Sequence, residues 1–260
     1  MNTLISNALK LAAIAASTCA AIAQPLFTIK PLPVPAGYEL AGPMRINDQG
    51  YVVGSVSGGK DPDGVAAVWK NGTVQVLGKL DKGISSMATA INSKGTVVGD
   101  GDDGDYRPLS WILSGGKLVN FFSNNGGNTH ALAISEAGDV GGFYVKGFSS
   151  QWRGAIWKIN AKDPRKSTKI DLAVLPGGDP TTASSVPWAF NASLQAAGYS
   201  MNTEIGQRAA FWNNDAAHSV VDLGVFEYDW SSLANGLNDL GQAVGSSSSA
   251  VQQPRHSLGQ

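Results

Sequence analysis

Ile46-Asn-Asp-Gln-Gly-Tyr-Val-Val-Gly54 decides the fold, because four further segments repeat its pattern of apolar-Asn-x-x-Gly-x-apolar-apolar-Gly. They are Ile91-Asn-Ser-Lys-Gly-Thr-Val-Val-Gly99, Ile134-Ser-Glu-Ala-Gly-Asp-Val-Gly-Gly142, Phe190-Asn-Ala-Ser-Leu-Gln-Ala-Ala-Gly198 and Leu237-Asn-Asp-Leu-Gly-Gln-Ala-Val-Gly245. The Asn positions (47, 92, 135, 191, 238) stand 45, 43, 56 and 47 residues apart, the spacing of one four-stranded propeller blade. Asn suits the first position of a type I turn and Gly the fourth, left-handed one, so each segment reads as a hairpin tip.

Working outward, a tryptophan on a short apolar strand follows four of the tips, at Trp69, Trp111, Trp157 and Trp212. One large ring per unit would fill the space between neighbouring sheets. Another strand precedes the tips, at Thr73-Val-Gln-Val-Leu-Gly-Lys-Leu80, Lys169 to Leu175 and Val220 to Phe226; Phe27-Thr-Ile-Lys-Pro-Leu-Pro33 brings the N-terminal part into phase with them. With no helical-period stretch beyond residue 23 and Gly or Pro punctuation throughout, the pattern predicts an all-β fold, a β-propeller of about five four-stranded blades. The repeats span roughly 26–71, 72–116, 117–160, 168–214 and 219–260. Pro254-Arg-His-Ser-Leu-Gly259 aligns with Gln207-Arg-Ala-Ala-Phe-Trp212 but carries Gly in the tryptophan's place. The expectation is a truncated fifth unit or a part of a larger ring, and an incomplete ring would expose strand edges and self-associate.

These residues resemble the extracellular HAF repeat family of bacteria, whose unit runs roughly Asp-Leu-Gly-x-Leu-x-Gly-Gly, Ala-x-x-Ile-Asn-x-x-Gly-x-Val-Val-Gly and His-Ala-Phe-x-Trp. Asp171-Leu-Ala-Val-Leu-Pro-Gly-Gly178 and Ala88-Thr-Ala-Ile-Asn-Ser-Lys-Gly-Thr-Val-Val-Gly99 match best, and Arg208-Ala-Ala-Phe-Trp212 replaces the naming tripeptide. The resemblance implies export and fold; it implies no activity.

Residues 1–23 read as a secretory signal peptide: a short polar start, Lys10, an apolar run of small residues, and Ala21-Ile22-Ala23 as the cleavage site. The expected location is therefore secreted or periplasmic. Cys19, the single cysteine, falls inside this segment, which excludes disulfides from the remainder. With 19 Lys and Arg against 20 Asp and Glu, the chain shows neither the basic bias of a nucleic-acid binder nor a second apolar stretch long enough to span a membrane.

Function is sought where the repeat is broken. Trp152, Trp188 and Trp230 lie outside the repeat frame, and exposed rings on loops suit stacking on sugars; Trp188 aligns with Met44, Thr89, Leu132 and Asn235, so packing under a neighbouring blade is the competing role. Asp100, Asp102, Asp103 and Asp105 form an acidic, Gly-rich loop whose oxygens suit calcium, although the spacing is not that of an EF-hand. The match of Gly99 to Gly104 to a dinucleotide fingerprint is false, since a strand follows where the pyrophosphate would need a helix. Arg107, Arg153 and Arg208 recur four residues before a tryptophan, as repeat residues do. His130, His218 and His256 have no metal spacing, and no hydrolase motif is present. The expectation is a binding or scaffold module for polysaccharide or a surface protein, with no catalytic residues and no cofactor beyond calcium. The alternatives are a carbohydrate-active propeller enzyme and a purely structural surface repeat.

Overall fold

A computed structural model describes residues 29–122, 128–145, 151–177, 179 and 181–249. The chain divides into two units, 1–32 and 33–260. Of the first, residues 29–32 are described and carry neither helix nor strand. The second holds every sheet. The signal-peptide reading, Arg255, His256 and the altered tryptophan position lie outside the described residues.

The fold is all-β, built from antiparallel sheets whose strands follow one another in sequence order. The first sheet contains β1 (Leu40–Ile46), β2 (Val52–Gly58), β3 (Asp61–Lys70) and β4 (Thr73–Gly78). The second contains β5 (Ser86–Ile91), β6 (Val97–Asp102), β7 (Pro108–Ser114) and β8 (Lys117–Asn120). β9 (Thr129–Ile134), β10 (Val140–Val145), β11 (Trp152–Lys158) and β12 (Thr168–Asp171) form the third, with a single 3₁₀ turn, Pro164–Lys166, before β12. β13 (Ser184–Phe190), β14 (Ala196–Asn202), β15 (Gly206–Trp212) and β16 (Val220–Gly224) form the fourth, joined to the third by one parallel bridge, Arg153 with Ser185. Only β17 (Ser231–Leu237) and β18 (Ala243–Ser248) are described in the fifth. The sheets run one strand out of step with the sequence repeats, because the strand before each tip pairs with the preceding tryptophan strand, as β4 does with β3.

The repeated turn has a repeated cause. In every unit the fourth turn residue donates its N–H to the carbonyl of the first, as Gly50 does to Asn47 at 2.9 Å and Gly95 to Asn92 at 3.0 Å. The first residue's side chain then accepts the N–H four residues on: Asn47 from Tyr51, Asn92 from Thr96, Ser135 from Asp139, Asn191 from Gln195 and Asn238 from Gln242. An Asn side chain thus closes the loop that its backbone begins. In the fourth unit Leu194 takes the glycine's left-handed place, at φ 57°, and is buried.

The glycine that ends each motif answers to a different constraint. The first strand of every unit carries a bulge three residues before the turn, at Met44, Thr89, Leu132, Trp188 and Asn235. Opposite it, a Cβ on Gly54, Gly99, Gly142, Gly198 or Gly245 would stand 2.0–2.1 Å from a carbonyl oxygen of that strand. No side chain fits there.

Each apolar core lies between one sheet and the next. Trp111 packs with Val53, Val68 and Leu77 of the first sheet, Trp157 with Val98, Ile112 and Phe121 of the second, and Trp212 with Ile156, Leu172 and Leu175 of the third. Trp212 donates its indole N–H to Ala173, and Trp69 donates its own to Pro33, so the segment at residue 33 stands to the first sheet as Ala173 stands to the fourth. The core between the fourth and fifth sheets is thin, made chiefly of Ala197, Ala209 and Ala234.

Candidate functional site

Three kinds of polar contact run between consecutive units, the first at all four junctions, the second at three and the third at two, and they place the turn tips side by side. First, a hydroxyl six residues before the turn accepts a backbone N–H from the preceding unit: Ser86 from Ala66, Thr129 from Ser110, Ser185 from Gly154 and Ser232 from Ala209. Three of these hydroxyls also donate to a carbonyl of that unit, at Gly78, Leu172 and Gly224. Second, the turn Asn donates to the carbonyl of its counterpart: Asn47 to Asn92, Asn92 to Ser135 and Asn191 to Asn238. Third, the acid after the turn position caps a backbone N–H of the preceding tip: Glu136 accepts from Ser93, and Asp239 from Ala192.

These contacts surround one cavity of about 600 Å³, lined by turn and first-strand residues of all five units. Its size suits a small organic ligand. The bulge residues Leu132, Trp188 and Asn235 reach it, and Trp188 is the one aromatic among the five bulge positions. A bulge re-aims its side chain away from the pleat, which leaves this indole 45% exposed.

Behind Trp188 the aromatic surface continues. Phe143 meets Trp188 edge to face at 6.1 Å and Trp152 at 5.1 Å. His130 lies 4.9 Å from Phe143 and 6.1 Å from Trp152. Its Nδ1 donates to Asp100 at 3.0 Å, and the other oxygen of Asp100 accepts from the Ala131 N–H and the Ser110 hydroxyl. This order is not that of a nucleophilic relay. A relay needs the imidazole between hydroxyl and carboxylate, whereas here the carboxylate stands between them. Trp152 and Trp188 are therefore brought together through Phe143. Trp230 stands elsewhere, 69% exposed, with its backbone N–H donated to Ser248.

The acidic loop is divided among local partners. Burial pushes the Asp102 carboxyl up, but hydrogen bonds from the N–H groups of Ile84, Gly104 and Ser85 and from the Ser85 hydroxyl outweigh it and hold the group below the usual aspartate range. Asp103 accepts from the Asp105 N–H and pairs with Arg107, which also lies 3.9 Å from Asp105. Asp100 turns to His130. Among the described residues no group of three or more His, Cys, Asp or Glu side chains is arranged to hold a metal ion. The three in-register arginines differ in role: Arg107 serves this loop, Arg153 is buried against the Ala183 carbonyl, and Arg208 pairs with Asp222 at 3.2 Å. No helix among the described residues is long and apolar enough to cross a membrane.

Phe143 and the hydroxyl residues escaped the sequence reading, which noted His130 only as a histidine without metal spacing. Phe143 occupies the same motif position as Asp100, one past the closing glycine, and that substitution of an aromatic for an acid was the signal available. Protein-family models give no match to the chain, and no curated protein is significantly similar to it.

Proposed function

We propose that this chain is an exported, HAF-type repeat protein whose units are arranged around the shared cavity as the blades of an incomplete propeller, and that it binds a polysaccharide there without catalysing a reaction. The ring reading is supported by the succession of sheets, each joined to the next through the same hydroxyl contact, and by the contribution of all five units to one cavity. The carbohydrate reading rests on one observation: Trp188, on a bulge that in other units carries Met, Thr, Leu or Asn, presents a half-exposed indole to that cavity. The other units do without an aromatic ring here, and the indole, although it meets Phe143 of the neighbouring sheet by one edge, keeps 45% of its surface exposed. An apolar face rimmed by backbone and Asn groups suits a sugar, which offers C–H bonds on one face and hydroxyls at its edge.

A glycan array probed with the full chain tests this, with and without calcium, beside Trp188→Ala and Trp230→Ala. Binding that is lost in the first variant and kept in the second is the expected result. Equal loss in both variants, or no glycan bound by the folded chain, contradicts it.

A further inference from the structure

Among the described residues, two faces of the repeat are buried or half-buried between consecutive sheets and exposed at the two ends of the row. The apolar residue before the turn faces the preceding unit; at this position Ile91 and Ile134 are each 9% exposed, whereas Ile46 is 68% exposed. The residue before the closing glycine faces the following unit; Val53, Val98 and Ala197 are 0% exposed there, whereas Val244 is 68% exposed. Position within the repeat, not chance scatter of surface apolar groups, makes Ile46 and Val244 the two halves of one interface that the chain forms four times internally.

The polar contacts are left open in the same way. Asp48 is the counterpart of Glu136 and Asp239, and no hydrogen bond engages its carboxylate among the described residues. Asn238 turns its amide to its own Gln242, where Asn191 also reaches the next unit. The hydroxyl position of the first unit is Ala41, so this face brings no unpaired hydroxyl to a partner. Beside Val244, a groove of about 280 Å³ is lined by Leu223, Phe226 and Ala243.

We infer that the β18 face of one copy of this chain binds the β1 face of a second copy, head to tail, with Ile46 set against Val244, the carboxylate of Asp48 on the turn backbone at Asp239, and the amide of Asn238 on the carbonyl of Asn47. The counterparts of these side chains, at the same repeat positions, already make this contact between consecutive units. Because the two faces differ, the association is heterologous and extends from copy to copy.

Sedimentation velocity of the full chain over a range of concentrations tests it, with Ile46→Asp and Val244→Asp. The unaltered chain is expected to gain mass with concentration, while each variant alone stays a single chain. Mixing the two variants restores one intact face of each kind and yields a species of twice the single-chain mass. An unaltered chain that remains single at every concentration overturns the inference, and means that residues 250–260 or the first unit of the same chain cover the β18 face. Association that persists in each variant, or a mixture that does not pair, overturns it equally. Ile46 lines the shared cavity and Val244 does not, so glycan binding is read independently on Val244→Asp.

Discussion

Replacing Asn92 by alanine removes a clasp and a rung at once. Its side-chain oxygen accepts the Thr96 N–H at 2.9 Å, its amide donates to the Ser135 carbonyl at 3.0 Å, and the residue is buried. Alanine leaves the half-buried Thr96 N–H without its partner, at about 1–3 kcal/mol, and removes the amide's bond to the Ser135 carbonyl, which keeps the Gly138 N–H, at about 1 kcal/mol, so the loss is about 2–4 kcal/mol. In a unit of this size each kcal/mol moves the melting temperature by about 2–4 °C, giving a fall of about 4–16 °C. Asn238→Ala removes the same clasp at an exposed tip, where its bonds to the N–H groups of Leu240 and Gln242 are replaced by water, and costs under about 1 kcal/mol. Thermal and urea unfolding of both variants, read by circular dichroism, makes the comparison. Equal destabilisation of the two would refute the reasoning, because it would show that the turn itself and not the buried inter-unit rung carries the energy.

Gly198→Ala forces a Cβ to 2.1 Å from the Val186 carbonyl and opens the bulge beneath Trp188, with an expected loss of at least about 2 kcal/mol; Gly115→Ala, where nothing approaches within 4 Å, isolates the cost of backbone conformation alone. Leu194→Gly relieves a left-handed residue, worth about 1 kcal/mol, but empties a buried site worth about 2–5 kcal/mol, so the protein is less stable by urea denaturation despite the better turn residue. Because the folded Asp102 carboxyl is held below its unfolded value, its stabilisation is present above about pH 4 and is lost as the pH falls through the lower folded value; Asp102→Asn is expected to flatten that part of the stability profile.

The turns were legible in the sequence because Asn, Gly and their spacing are set by local backbone geometry, and the same holds for Trp69, Trp111, Trp157 and Trp212, whose regular recurrence marks the spaces between sheets. The grouping of strands was legible only to within one strand, since β4 can be assigned to the unit before or after it until its pairing with β3 is known. The hydroxyls at Ser86, Thr129, Ser185 and Ser232 keep a fixed offset from the turn, yet short polar residues are common along the chain and their partners lie in another sheet. The final glycine of the motif reads as a breaker, and only the bulge opposite it explains its necessity. Of the three off-frame tryptophans, sequence cannot separate Trp230 from Trp152 and Trp188, because the link is Phe143, a residue of a third strand, β10.

The central claim is that Trp188, backed by Phe143 and Trp152, presents the ligand face of the shared cavity. It is tested most directly by following the indole N–H signals of the ¹⁵N-labelled chain as the oligosaccharide selected on the array is added. The account predicts that Trp188 shifts most, that Trp152 follows through Phe143, and that Trp230 stays in place. A titration that moves Trp230 and leaves Trp188 unchanged would contradict it.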